Sequence, residues 1–319
     1  MKERDIAIDI MKFLAALLIT NSHLSSQYGN YAYLAQGGYE GNYIFFFCAG
    51  YLLFLKPLKG ILMFPNWFKG RLLRIYPSII SIAILSCLFF GNNENIVDII
   101  LAKKYWFVSC IFIHYAVLFF IGSYAKGKTL LFTIPVLIAA LLIFVQLDNT
   151  VSIWHGHYLG RYVLSFNATL LGAYMGENHN KIKYNPKIDW LGLLLSYACF
   201  RFSGLFYKMG YVSFDLLRVI PLYLFVYFLY KVCKSRIAQT IYDNKYAHFI
   251  IMTIGSLCLE IYIVQKYVLF DSFNHLFPLN LFIVFSIILV SAYITRIFGQ
   301  FILQVFQKEP FQFKQIFKL

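Results

Sequence analysis

Of 319 residues, 60% are hydrophobic, 20% aromatic and only 13% charged, and the mean hydropathy is +0.67. A soluble domain carries roughly a quarter charged residues, so a soluble nucleotide-binding enzyme, a disordered chain and a secreted disulfide scaffold are all excluded. A polytopic helical membrane protein is the natural reading, and the net charge of +14 then bears on topology before it bears on nucleic acid.

Apolar runs predict helices at 6–26, 40–56, 74–91, 105–122, 130–146, 158–176, 188–205, 212–231, 250–269 and 279–303. Each is near the ~20 residues that cross a ~30 Å hydrocarbon core at 1.5 Å per residue. The runs are continuous and do not alternate, which predicts an all-α transmembrane bundle of about ten spans instead of an outer-membrane barrel. With the N-terminus inside, the inner segments hold Lys2, Arg4, Lys56, Lys59, Lys69, Arg71, Arg74, Lys126, Lys128, Lys181, Lys183, Lys187, Lys231, Lys234, Arg236, Lys245, Lys308, Lys314 and Lys318. The outer loops hold only Lys103, Lys104 and Lys208. That asymmetry obeys the positive-inside rule and puts both termini in the cytoplasm of a multi-pass protein of the inner or plasma membrane. It also leaves a nucleic-acid partner with little to explain.

Residues 1–26 read as a retained first span, because Asp5 and Asp9 interrupt the apolar run and Asn21-Ser22-His23 is a poor cleavage site. The six cysteines (Cys48, Cys87, Cys110, Cys199, Cys233 and Cys258) are scattered through apolar segments without a C-x-x-C pair. They read as packing residues, and neither a disulfide framework nor a metal site is expected. Asn167-Ala168-Thr169 has the form of a glycosylation sequon but falls inside a span. One integral membrane domain is expected over 1–319.

Ionisable residues inside spans are costly and tend to face a cavity or a partner. On the first helix Asp9, Lys12 and His23 share a face, His23 lying about 20° from Lys12 and about 40° from Asp9 around the axis. Asp9 and Lys12 can pair at i, i+3, whereas His23 sits at the far end without an obvious local partner. In the connection Pro65-Asn66-Trp67-Phe68-Lys69-Gly70-Arg71-Leu72-Leu73-Arg74-Ile75-Tyr76-Pro77, Arg71 and Arg74 project to one side. They serve either as a topology anchor on lipid phosphates or as a bidentate phosphate clamp, and the pattern alone does not choose. Glu260 lies mid-helix and must be protonated or face a polar cavity, and His114 sits at similar depth. Toward the outer face come His155, His157, Arg161, Arg201, Asp215, Arg218 and Lys266, which either line the mouth of a polar site or rest among headgroups.

Four patches together resemble the acyltransferase-3 family of integral membrane acyltransferases, mostly bacterial enzymes that acylate, often O-acetylate, envelope glycans. They are Asp9-Ile10-Met11-Lys12-Phe13-Leu14-Ala15-Ala16 leading to His23; the segment Gly41 to Leu53 with Phe46-Phe47-Cys48-Ala49-Gly50; Phe68 to Pro77 with its R-x-x-R; and Tyr105-Trp106-Phe107, with Ser256 to Tyr262 as a weaker match. The resemblance spans the whole chain and rests on the order of the patches. This sequence departs from the family at Lys12 (usually arginine), Tyr43 (often aspartate), Ala49 (serine) and Gln265 (often histidine). His23, Arg71 and Arg74 are intact.

The resemblance implies an O-acyltransferase that takes acetyl-CoA or another acyl-CoA as donor substrate, without a metal, and a polysaccharide or glycolipid as acceptor. On that reading His23 is the catalytic base or an acylated nucleophile. Arg71, Arg74 and Lys12 hold the donor, while Asp9, Trp106, Glu260 and Tyr262 border substrate. The rivals are a glycan or small-solute transporter or flippase, which suits the composition equally well, and a non-catalytic member of a polysaccharide export complex. No internal repeat of the kind transporters often carry is visible. The oligomeric state stays open, a homo-oligomer included.

Overall fold

A computed structural model of the protein describes residues 5–55, 63–92, 95–125, 127–147, 151–154, 156–306 and 310–317. Lys2, Arg4, Lys56, Lys59, Lys126, His155, Lys308 and Lys318 lie outside the described residues. Among those described there is no strand. The principal helices are α1 (Ile6–His23), α2 (Gly38–Phe54), α3 (Phe64–Phe90), α4 (Trp106–Tyr124), α5 (Thr133–Gln146), α6 (Tyr158–Glu177), α7 (Pro186–Lys208), α8 (Val219–Cys233), α9 (Lys245–Ser256), α10 (Cys258–Val268) and α11 (Leu279–Val305).

Every predicted segment has a helical counterpart, but not all of them are equally apolar. Among the described residues six are long and apolar enough to cross a membrane: α1, α3, α4, Thr129–Gln146, Phe214–Cys233 and α11. The segment predicted as one helix at 250–269 is α9 followed by α10, bent by 70° at Leu257; taken as one broken span it makes seven. The helices matching 40–56, 158–176 and 188–205 fall short of that measure for physical reasons. α2 has 17 residues. α6 carries Arg161, Ser165, Asn167, Thr169 and Glu177, and α7 carries Lys187, Asp189, Arg201 and Lys208.

The start of α3 differs from expectation. The stretch 64–73, read as a connection, is already helical, with Pro65 in the first turn where its missing N–H costs nothing. Helix continues through the buried Pro77 and stops at Gly91, whose left-handed backbone (φ +64°) caps it.

The described residues form two compact units. The first comprises 1–11, 42–61 and 110–248; the second comprises 12–41, 62–109 and 249–319. In the first unit α2 and α6 meet at backbone contact. A Cβ on Gly50 would stand 2.0 Å from the Thr169 carbonyl oxygen, and one on Gly172 would stand 2.0 Å from that of Phe47. Gly172 and Gly176 form a G-x-x-x-G pair, the small-residue spacing that lets membrane helices approach this closely. Around this crossing Tyr43, Phe46, Phe47, Leu170 and Met175 are fully or almost fully buried. In the second unit α3 packs along α11, with Gly299 against the Pro77 backbone (3.1 Å from a built Cβ) and Ser81 Oγ donating to the Thr295 carbonyl at 2.9 Å.

Candidate active site

Of the eight residues predicted for the site, seven belong to the second unit: Lys12, His23, Arg71, Arg74, Trp106, Glu260 and Tyr262. Asp9 belongs to the first, where it is buried and accepts a hydrogen bond from Tyr242 Oη at 3.0 Å. Sequence reading gave Asp9 a local lysine partner at i+3; the hydrogen bond from Tyr242 reaches it from 233 positions away.

His23 is the last residue of α1. Its side chain is exposed, and it has no hydrogen-bond partner among the described residues. The backbone around it is nonetheless firmly held. Two residues earlier, the Asn21 amide donates to the carbonyls of Leu34 and Gln36, both at 2.8 Å, and Asn21 Oδ1 accepts from Tyr28 Oη at 2.7 Å. One side chain thus folds the loop 24–37 back onto the end of α1. The chain then enters α2 in close contact with α1. Gly37 takes φ +109° beside Leu18, and a Cβ on Gly41 would lie 2.6 Å from Ile19 Cγ1. The imidazole is therefore presented from a fixed helix end. The next loop joins this arrangement through the Gln27 carbonyl, which accepts from Asn280 Nδ2 at 2.7 Å, and through Gln27 Nε2, which donates to Asp271 at 3.1 Å.

Arg71 and Arg74 lie on α3. Arg71 is half-buried, its guanidinium carbon 5.3 Å from the Trp67 ring centroid, a cation–π stack at i, i+4; Arg74 is exposed. At 100° per residue Arg71, Arg74, Ser78 and Ser81 fall within an arc of about 80°. The stripe that carries the guanidinium pair therefore continues directly into the two buried serines.

Those serines lead to Glu260. Its carboxylate is fully buried and accepts from Ser78 Oγ at 2.7 Å and from Arg296 at 3.2 Å. Where sequence reading expected a protonated acid or a polar cavity, protein groups from two other helices face the carboxylate. Arg296, on α11, escaped sequence reading because it lies 36 positions from its partner in an apolar stretch. Tyr262 packs edge-on against Tyr105 (6.4 Å) and at 5.5 Å against Phe107. Trp106 crosses the Phe107 ring at 86°, so these aromatics form one cluster where α4 begins. Lys12 is half-buried. No hydrogen bond or ion pair joins His23 to either arginine, so the described site consists of separate parts on α1, α3 and α10–α11.

The first unit contains polar clusters of its own. His114 is fully enclosed. Its Nε2 lies 3.0 Å from the Tyr162 carbonyl, which can only accept, so Nε2 carries the proton and Nδ1 accepts from Thr169 Oγ1 at 2.9 Å. The nearby Cys110 Sγ, 3.2 Å from that same Nε2, consequently faces no free base. This is an interhelical polar clip between α4 and α6. Asp215, likewise buried, accepts from the Ile153 amide at 2.8 Å and lies 3.7 Å from Arg218, whose guanidinium stacks over Trp154 and Phe200. All six cysteines are free. No group of three or more metal-ligating side chains occurs among the described residues.

Residues 5–298 match the sequence model of a family described as an acyltransferase domain, which covers nearly all of the chain and every part of the site. No curated protein and no solved structure gives a significant match.

Proposed function

The chain belongs to the acyltransferase-3 family and is a multi-pass membrane acyltransferase, and we propose that it moves an acyl group, in the first instance acetyl, from cytoplasmic acyl-CoA to a hydroxyl of an envelope or capsular polysaccharide or its lipid-linked precursor. The observation that carries this reading is the family match over residues 5–298, a range that includes His23, Arg71 and Arg74.

On this reading the protein crosses the inner or plasma membrane about ten times, the less apolar α6 and α7 included. The two arginines stand at the cytoplasmic face and His23 toward the outer one. Ile6 and His23 are about 25 Å apart along α1 at 1.5 Å per residue, of the order of an extended pantetheine arm. Arg71 and Arg74 grip donor phosphates as guanidinium forks, with Lys12 and Asp9 bordering the path between the two ends. The thioester then lies beside the imidazole. His23 removes the proton from the acceptor hydroxyl, whose oxygen attacks the thioester carbonyl. The carbon–sulfur bond breaks, and the departing CoA sulfur takes the proton from the imidazolium. On the same reading the rings of Trp106 and Tyr262 cover donor or sugar. Glu260 acts at one remove, through Ser78, on the helix stripe that ends in the arginines.

Purified protein in proteoliposomes, given labelled acetyl-CoA and a glycan acceptor, tests this reading. His23→Ala should abolish label transfer while membrane insertion and retention of labelled donor persist. Arg71→Ala and Arg74→Ala should lose donor retention first. Activity surviving in His23→Ala would remove His23 as the base, and normal donor retention in both arginine variants would remove the clamp.

A further inference from the structure

The first unit contains a groove that the acyl-transfer reading does not use. It has a volume of about 440 Å³ and lies between the start of α5, the middle of α6 and the start of α8, within the ~300–1,000 Å³ range of small-ligand sites. Leu131 and Ile134 on one lip and Ile220 on the other are each more than half exposed. They sit on Thr129–Gln146 and Phe214–Cys233, both long and apolar enough to cross a membrane; on the membrane reading proposed above, the mouth of the groove opens toward lipid chains. Among the described residues no charged side chain lines it, which makes it unsuited to a phosphate or a carboxylate.

Its wall holds buried polar atoms that an alkane cannot satisfy, on Thr133 and on Asn167. Asn167 is 1% exposed, and its Nδ2 donates to the Leu164 carbonyl at 3.3 Å. A carbonyl oxygen only accepts, so the orientation of the amide is fixed and Oδ1 is the end left over; that oxygen has no partner among the described residues. A buried acceptor left without a donor destabilises the fold around it. What completes the site is therefore a hydrogen-bond donor attached to an apolar body. Tyr223 and Thr133 add hydroxyls to the same walls. A lone water would meet Asn167 but leave the apolar volume unfilled.

We infer that this groove binds the hydrocarbon chain of a membrane lipid that carries a hydroxyl along its length, such as a hydroxyacyl chain, with that hydroxyl donating to Asn167 Oδ1. The site opens sideways to the bilayer and is independent of His23 and the arginines.

The test is photolabelling of the full-length protein in phosphatidylcholine vesicles with two probes: a photoactivatable fatty acid hydroxylated in mid-chain, and the same chain without the hydroxyl. Labelled peptides are then mapped by mass spectrometry. Peptides containing 130–137 and 219–224 should be labelled roughly three- to tenfold more by the hydroxylated probe, the gain expected of one hydrogen bond. Asn167→Leu should reduce that labelling to the level of the plain chain. Ile134→Trp, at an exposed lip where folding is not at risk, should reduce labelling by both probes. Equal labelling of the wild-type groove by the two probes, labelling elsewhere only, or unchanged labelling in both variants would overturn the assignment.

Discussion

Breaking the Glu260–Arg296 pair offers the sharpest measurement on the second unit. Glu260 has no exposed side-chain surface, and its carboxylate is held by one neutral donor, Ser78, and one cation, Arg296. Arg296→Met removes the cation and strands the carboxylate. Deleting one partner of a buried pair typically costs about 3–5 kcal/mol, because the remaining charge stays desolvated. The Arg296 side chain is 26% exposed, so the lower end, about 3 kcal/mol, applies here. Glu260→Leu on its own leaves Arg296 partly able to reach water and Ser78 without its acceptor, a loss of about 2 kcal/mol. The double variant removes both charges and should lose clearly less than the two single losses added together, because each substitution removes the penalty the other creates. Unfolding of the purified protein in mixed micelles, followed by intrinsic fluorescence, reads all three variants against wild type. Two results would refute the reasoning: an Arg296→Met protein as stable as wild type, or single losses that simply add in the double variant. Either would mean that the pair does not hold α10 to α11.

Gly172→Leu should prevent normal folding, because even the first added carbon meets the Phe47 carbonyl at 2.0 Å and α2 and α6 must part; Gly204→Ala, which meets nothing within 4 Å, should be neutral or gain up to about 1 kcal/mol, and the yields of monodisperse protein compare the two. Asn21→Ala removes three hydrogen bonds at a partly exposed position and should cost about 2 kcal/mol, seen as faster amide hydrogen exchange in 28–36 with α11 unaffected. His114→Phe should destabilise the first unit by about 1–2 kcal/mol by leaving the Thr169 hydroxyl and the Tyr162 carbonyl without their partner, while acyl transfer per folded molecule stays unchanged.

The helices were legible because an apolar run near twenty residues has few alternatives in a bilayer, and all ten predicted segments are helical. Their ends were less legible where polarity and helicity part company. Residues 64–73 hold Pro65, Asn66, Lys69 and Arg71 and look like a loop, yet a proline in the first turn and aromatic residues at helical spacing favour continuation. The break at Leu257 left only Gly255-Ser256 as a trace, and two such residues inside a long apolar run also suit an unbroken span. The α2–α6 crossing did have a readable mark in Gly172-x-x-x-Gly176, since only glycine permits that approach.

Local residue types mark candidates for the site, and only the fold supplies the pairing. An intramembrane glutamate demands a counterpart, so Glu260 was identifiable as special from its position alone, but nothing in its own segment pointed to Arg296 or to Ser78. Ser78 is informative because it lies one turn beyond Arg74 on the same stripe of α3. A buried carboxylate that holds this stripe also fixes the rotation of α3 about its axis, and a helix rotated by one residue, about 100°, would carry both guanidinium groups away from their present direction. Buried polar bonds are costly in a hydrocarbon setting unless complete, so they select one rotational register over its neighbours. On this argument Glu260 sets where Arg71 and Arg74 point, and variants that keep a hydrogen bond to Ser78, such as Glu260→Gln, should preserve donor retention better than Glu260→Leu does.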